Sequence, residues 1–442
     1  MKNIIFAFIL SFSGLISNAQ EGFYKTYPFY NRTEKIMVFA WEDGYTIAVV
    51  AAKDTFCLSI IRTNLEGDTL WTKDYDIGFY STKANLNGTS DGEGNIYLSL
   101  TQTNKNLLKI DQNGIIVWFK DYPFLQHIIK YGNDFLWAIA NTGGESLYKI
   151  NPNTGDTLWK SQPFGSAGFN TSMAIKQNGD ITVTTQHYSG NMSFVRVNTL
   201  PVDSSAFCSV VLPEVHDVNI SDTKYVGDEL ISVGYKPSIN NTPYDNNHFY
   251  RYLPNGTIHS SKIMEYGCVA AYTVSFVINQ NNQLVALGYC LTGWDSEAVL
   301  QCLTLDFDKL WSKRFENIYW YQNIELCEDG GYIISLVTNG PDGVQPCLIK
   351  TNIEGNYVNN SALRANSTIS VYPNPAYEMV NFDGNILLQG TITIYDVLGK
   401  SIITIEMNEG KATWETSTIK KGVYIYHFIS SKGIKTGKIL IN

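Results

Sequence analysis

Six histidines, His127, His187, His216, His248, His259 and His427, are the side chains of this chain best suited to proton transfer or metal ligation near neutral pH. None stands in an HExxH or HxH spacing, which would turn two imidazoles toward one metal. Seven cysteines, Cys57, Cys208, Cys268, Cys290, Cys302, Cys327 and Cys347, are scattered without a CxxC pair, so a zinc site is not indicated. Their odd number leaves at least one thiol over. Cys290 and Cys302 flank a hairpin-like stretch and could face each other; the favoured alternative is that most of the seven are free, small core residues. The segment 87–95, Asn-Gly-Thr-Ser-Asp-Gly-Glu-Gly-Asn, gathers oxygens that calcium could take, yet it lacks the regular Asp spacing of an EF-hand loop and reads as a solvated turn before a strand. No other cofactor is indicated.

Two longer loops place aromatics beside polar groups, at 243–250 and 292–295. Loops on a rigid scaffold are where binding is concentrated. Tyr244, His248, Tyr250, Trp294 and Asp295 are therefore the candidate ligand-contacting residues. No nucleophile and base recur at a catalytic spacing, so no catalytic residue is assigned.

The elements that position these residues come from a repeat. A Gly or Asn turn leads into an apolar strand, a polar loop and second strand follow, and a Gly turn then opens onto Trp-x-Lys. The clearest copies are 65–73 (Leu-Glu-Gly-Asp-Thr-Leu-Trp-Thr-Lys), 110–118 and 150–160; others lie at 253–259, 305–313 and 351–357, with a degenerate one near 202–207. The spacing of about 40–55 residues is that of a four-stranded propeller blade. Seven copies are present, and no stretch keeps a helical period. The seventh lacks its closing strand, and the segment 23–28, Phe-Tyr-Lys-Thr-Tyr-Pro, matches what is missing. The expected fold is all-β: a seven-bladed β-propeller over 22–359, whose ring is closed by its own N-terminal strand, followed by a small Ig-like β-sandwich. The recurring Trp residues read as packing residues, because they follow the repeat instead of clustering.

The copies resemble the propeller repeats of quinoproteins and of outer-membrane assembly lipoproteins, in which a Gly-Asp/Glu-x-x-Trp stretch docks blades. The quinone-dependent dehydrogenases also carry an adjacent Cys-Cys pair, which this chain lacks. The segment 110–118 resembles the Asp-box of sialidases without its spacing. The arginine cluster that holds a sialidase substrate carboxylate is also missing, since Arg32, Arg62, Arg196, Arg251, Arg314 and Arg364 are spread along the chain.

The two ends concern export. Lys2, the apolar run 4–16 and Ser17-Asn18-Ala19 have the order of a secretion signal peptide over 1–19, with no Cys at the cleavage point to make a lipoprotein. The polar, small segment 360–368 reads as a linker. Seven short strands follow over 369–442, with Pro373 and Pro375 fixing an extended, non-pairing entry. The blocks Tyr372-Pro373-Asn374-Pro375-Ala376, Ile394-Tyr395-Asp396 with Gly399-Lys400, Lys421-Gly422-Val423-Tyr424 and Lys435 with Lys438-Ile439 occur in order. Together they are similar to the type A C-terminal sorting domain of the type IX secretion system of Bacteroidota. The resemblance implies that Tyr372, Pro373, Asn374, Pro375, Gly399, Gly422, Tyr424, Lys435 and Lys438 carry the signal. It implies as partners the outer-membrane translocon and a sortase-like peptidase, with anchoring to surface lipopolysaccharide or release, and hence a secreted or cell-surface location.

A formal net charge of −9 argues against a nucleic-acid partner, which selects a basic face. The reading is therefore an exported binding module for extracellular glycan or protein. The alternatives are a hydrolase or lyase acting on polysaccharide or peptide, and a structural surface component.

Overall fold

The computed structural model describes residues 22–357 and 370–441 apart from short segments, the longest being 237–246. The expected signal peptide and linker lie outside the described residues. The chain divides into two compact units, Met1–Val358 and Asn359–Asn442.

All regular structure among the described residues of the first unit is β. Six blades are sequential four-stranded antiparallel sheets over 32–75, 86–120, 125–160, 172–216, 219–264 and 270–315. The seventh takes three strands from 318–351 and its outer strand from Phe23–Thr26, which pairs antiparallel with Gly343–Thr351 (Phe23 opposite Lys350, Thr26 opposite Cys347). The innermost strand of each blade packs on that of the next, and Ile318–Leu326 of blade 7 returns to Arg32–Trp41 of blade 1, so the ring closes. Closure covers both faces of every blade and leaves the outer strands with a free edge.

Second and third strands are sandwiched between neighbouring blades and so read as continuous apolar runs. Gly44–Ala52 is an example: Ile47 and Val49 face blade 7, with Ile333 and Leu348, while Ala48 and Val50 face blade 2, with Leu98 and Leu108. Packing both faces explains why these strands lack polar alternation.

The repeat has a mechanical meaning. In blades 1, 2, 3, 6 and 7 the turn between the third and fourth strands is closed by the side chain of Asn64, Asp111, Asn151, Thr304 or Asn352. Asp111 Oδ1, for instance, accepts from the amides of Asn113 and Ile115 at 2.9 and 2.7 Å. The turn then places a glycine at positive φ beneath the outer-strand aromatic of the preceding blade. A Cβ at Gly114 (φ 71°) would stand 2.7 Å from Cη2 of Trp71, and one at Gly155 (φ 71°) 2.8 Å from Cε3 of Trp118. Gly355 sits likewise beneath Trp311, and Gly67 beneath Phe23. Two residues after the aromatic, a lysine reaches the same turn. Lys73 Nζ donates to the Asn113 carbonyl at 2.5 Å, Lys120 meets Asp156 at 2.9 Å, and Lys25 meets Asp68. Thus Gly-Asp receives the preceding blade and Trp-x-Lys grips the following one. Phe23 and Lys25 perform the same role for blade 7 on blade 1.

The pairing is size-matched where it departs from consensus. Blade 6 has Phe307 (φ 67°) at the glycine position, fully buried with its ring 5.6 Å from Phe249, and blade 5 offers Ser260 at the Trp position. Gly256 of blade 5 faces Val210 instead of a Trp.

One cysteine expectation is corrected. Cys290 is disulfide-bonded to Cys268, while Cys302 is free and buried. Antiparallel register puts Cys290 opposite Glu297 and Cys302 opposite Val285, five rungs apart, so those two thiols cannot meet. Cys57, Cys208, Cys327 and Cys347 are also free.

The second unit is a β-sandwich of the seven expected strands. One sheet comprises Ser370–Tyr372, Met379–Asp383 and Lys411–Glu415. The other comprises Ser401–Met407, Gly390–Asp396, Gly422–Ser430 and Gly433–Ile441. Phe382 and Trp414 from the first meet Ile392, Ile394, Tyr426 and Phe428 from the second in one core.

Gly155→Ala should lower propeller stability by about 2–4 kcal/mol, because it combines an unfavourable positive φ with overlap on Trp118. Lys120→Met removes only an exposed ion pair and should leave the urea midpoint unchanged. Equal losses in the two variants would show that the ion pair, not the aromatic–glycine contact, joins the blades.

Candidate functional site

Blades 4 and 5 share a core of Val195, Val197, Leu212, Leu230, Tyr250 and Tyr252, and a cleft of about 520 Å³ opens between them. Its lining comes from Glu214 and His216 on the outer strand of blade 4, and from Lys236, His248, Tyr250, Ile258, Ser261, Lys262 and Ile263 of blade 5.

Local sequence explains how these groups reach one place. The outer strand Cys208–His216 pairs regularly with blade 4 from Cys208 to Leu212, then breaks register, and His216 next lies opposite Phe194. The unpaired residues are Pro213, Glu214 and Val215. Proline has no amide to give the ladder, and a bulge re-aims the side chains beside it. Glu214 and His216 were not singled out from sequence; the readable signal was Pro213 inside a strand. In blade 5, His248 and Tyr250 are two residues apart on Asn247–Tyr252 and so share a face. Their rings stack with centroids 6.0 Å apart, and His248 Nδ1 lies 3.0 Å from the Tyr250 hydroxyl. His248 stands opposite Gly234, where a Cβ would lie 2.3 Å from the Asn219 carbonyl.

Both rings are buried, His248 at 9% and Tyr250 at 7% exposure. Burial pushes His248 down to about 4, with Lys236 and His216 adding in the same direction. Burial alone pushes the Tyr250 phenol up to about 12. Both are therefore neutral across the physiological range, as hydrogen-bonding groups held in fixed orientation. Efficient proton transfer calls for a group poised near the working pH, which neither is. At the rim Lys262 is paired with Asp308 at 2.7 Å, while Ile263 is 56% exposed and gives an apolar shelf.

Among the other sequence candidates, Tyr244 and Trp294 lie outside the described residues, and so does the side chain of Asp295, whose backbone opens the third strand of blade 6 opposite Thr292. In the segment considered for calcium, Asp91 is turned onto its own loop: Oδ1 accepts from the amides of Glu93 and Asn95 at 2.9 and 3.2 Å, and Oδ2 accepts from Asn95 Nδ2 at 2.7 Å. No three His, Cys, Asp or Glu side chains converge as metal ligands among the described residues.

The terminal unit has its own site geometry. Asn374 mimics a peptide unit: its Nδ2 donates to the Lys438 carbonyl at 2.9 Å, and its Oδ1 accepts from the Leu440 amide at 2.9 Å. Ala376 continues the contact, forming a parallel bridge with Ile441 and donating its amide to the Leu440 carbonyl at 2.8 Å. The Pro-Asn-Pro entry is therefore not unpaired, as its two prolines suggested, because the intervening side chain supplies the pairing the prolines cannot. Tyr372 projects half-exposed with its hydroxyl on Asp383, and Lys438 is exposed beside the clamp. Gly399 (φ 80°) closes the 396–400 turn, where its amide donates to the Asp396 carbonyl at 3.0 Å. Gly422 starts the last hairpin opposite Ile441, and Tyr424 packs edge-on against Trp414 while its hydroxyl donates to the Lys420 carbonyl at 2.7 Å. The side chain of Lys435 lies outside the described residues. Blocks 64 residues apart in the chain thus form one patch.

Residues 370–442 match the family of secretion system C-terminal sorting domains. No curated protein is similar to the chain in sequence. Solved structures that align with it include BamB from Moraxella catarrhalis (12% identity, TM-score 0.40, covering 74% of this chain and 99% of that one). A protein of unknown function from Bacteroides caccae aligns at 13% identity and TM-score 0.34, covering 73% and 91%. A eukaryotic initiation factor aligns at 10% identity and TM-score 0.38, covering 87% and 90%. The terminal unit is a sorting domain of the type IX secretion system, and the protein is exported to the cell surface or the extracellular space.

The His248 shift has a sign that can be tested. Between about pH 6.5 and about pH 4 the unfolded chain takes up a proton that the folded cleft refuses, so stability falls as pH drops through that window. The full shift corresponds to about 3 kcal/mol, which solvent at the cleft screens to about 1–2 kcal/mol. Urea melts across this range should show the loss in the native chain and a flatter profile in His248→Gln. Identical profiles would mean that His248 is not held neutral.

Proposed function

We propose that the exported propeller is a binding module, and that the cleft between blades 4 and 5 receives a polar segment of an extracellular glycan, or of protein. The observation that carries this reading is the buried, mutually hydrogen-bonded His248–Tyr250 pair. Two neutral rings offer stacking surface and oriented hydrogen bonds, which suit the alternating apolar faces and hydroxyls of a sugar. Glu214, Lys236 and Ser261 add polar groups at the rim, and Ile258 and Ile263 add apolar surface. A hydrolase or lyase would instead need an acid and a base with separated pKa values facing one another.

For the terminal unit, the patch around Asn374 and Lys438 is the proposed contact with the translocon. The proposed sequel is removal by a sortase-like peptidase and attachment to surface lipopolysaccharide or release. Deleting residues 370–442 should leave a folded propeller in the periplasm, since that unit has its own core; unchanged surface delivery would refute the assignment.

The mature chain on a glycan array should show selective binding that His248→Ala weakens by about tenfold, equivalent to about 1.4 kcal/mol. A parallel panel of polysaccharide and peptide substrates should show no turnover. Sustained turnover would replace the binding role with the hydrolytic one, and binding unaffected by His248→Ala would move the site elsewhere on the ring.

A further inference from the structure

The inner strands carry charges that the blade 4–5 cleft does not use. Because neighbouring inner strands belong to different sheets, polar side chains bridge their free backbone edges. Asn323 is an example: its Oδ1 accepts from the Val38 amide and its Nδ2 donates to the Val38 carbonyl, both at 3.0 Å. Thr89 Oγ1 accepts from the Tyr131 amide at 3.1 Å, and Asp222 Oδ2 accepts from Ser275 Oγ at 3.1 Å. At one level of the ring, three inner strands present charge: Lys130 opposite Trp137 in blade 3, Lys224 opposite Ile231 in blade 5 and Glu325 opposite Ile333 in blade 7.

These charges are not equally satisfied. Lys224 is 3.4 Å from Asp222 and donates to the Phe276 carbonyl. Lys130 makes no hydrogen bond or ion pair with any described residue; Asp222 and Glu325 act on it only through their fields, and Lys224 opposes it. Burial pulls the Lys130 ammonium below the usual lysine range and pushes the Glu325 carboxyl above its own. Glu325 Oε1 accepts from Asn323 Nδ2 at 3.3 Å, whereas Lys130 has no direct partner among the described residues.

The space beside Lys130 has a defined origin. Blade 4, between blades 3 and 5, has an inner strand of only four residues, Ser172–Ile175, and puts no charged side chain at this level. The resulting cavity of about 310 Å³ has Met173, Ala174 and Ile175 as its floor, with Lys130 and Tyr131 on one wall and Thr223, Lys224 and Tyr225 on the other. Two ammonium groups thus flank an apolar floor between two tyrosine rings. Asp222 meets Lys224 directly, which leaves Lys130 as the donor at the cavity wall with no direct partner among the described residues, balanced only by the fields of Asp222 and Glu325. That balance fits a singly charged anion better than a phosphate dianion.

We propose that this axial cavity binds a small monocarboxylate, whose carboxylate accepts from Lys130 while its body lies on the Met173–Ile175 floor. The site is separate from the blade 4–5 cleft and stands or falls independently of it.

The test uses the intact mature chain with acetate, glucuronate and inorganic phosphate as probes. Trace acetylation by an N-hydroxysuccinimide ester, read by mass spectrometry, should label Lys130, because burial shifts its amine toward the neutral, nucleophilic form. Glucuronate or acetate should slow that labelling by about tenfold, leave surface lysines such as Lys120 unaffected, and raise the melting temperature. Lys130→Met should abolish the rise. Labelling unchanged by both carboxylates in the native chain would overturn the proposal without reliance on the variant. Protection by phosphate equal to or greater than that by the carboxylates would overturn the assigned ligand class.

Discussion

The seat of an outer-strand aromatic on the next blade's turn glycine is the contact on which the propeller depends. A four-stranded blade buries too little alone; its second and third strands are apolar on both faces and need a neighbour on each side. The aromatic–glycine seat fixes the distance and tilt at which neighbours meet, and a Cβ at the glycine would prevent that approach. The lysine two residues on meets the same turn from solvent and adds direction more than energy. Because one motif both receives and grips, the order of blades is set by the chain. The last step, Phe23 and Lys25 onto Gly67 and Asp68, joins the two ends of the unit.

The candidate cleft lies where this contact weakens. Register puts Cys208 in blade 4 and Ser260 in blade 5 where Trp71, Trp118 and Trp311 stand elsewhere, and Val210 is what lies against Gly256. The outer edge of blade 4 bulges at Pro213, and that bulge places Glu214 and His216 in the cleft with His248. The seam that lacks an indole on Gly256 is thus the one that carries the lined cleft. The same logic holds at the axis, where the shortened inner strand of blade 4 leaves Lys130 facing open space. Blade 4 is the most degenerate copy of the repeat and borders both cavities.

This pattern explains what was legible in the sequence. Period, blade number, the closing strand and the sandwich strands could be read because they rest on local signals repeated many times: turn glycines, apolar runs and Trp-x-Lys. His248 and Tyr250 could be singled out because polar and aromatic residues alternate there on a short strand. Glu214, His216 and Lys130 could not, because each occurs once and acquires its meaning from a neighbouring blade. The Cys268–Cys290 bridge was hidden for the same reason, since register and not proximity in sequence decides which thiols meet. Asn374 was disguised by its prolines, which mark a break in backbone pairing but do not reveal that the side chain between them restores it.

Export places further demands on the same architecture. Five free thiols travel with a protein bound for an oxidising exterior, and their reactivity depends on thiolate formation. Burial pushes Cys302 up to about 11 and Cys327 and Cys347 up to about 12, which keeps these three as inert thiols within the blades. Cys57 is also buried; Cys208 is exposed, at the start of the bulged outer strand of blade 4. In the terminal unit, the Asn374 clamp ties the last strand to the Pro-Asn-Pro segment. The patch is complete only when the last strand is seated beside the Pro-Asn-Pro segment, so it belongs to the folded sandwich and not to a linear string of residues. The patch thus depends on folding of the tail, while the repeat that builds the propeller diverges from its consensus at blades 4 and 5.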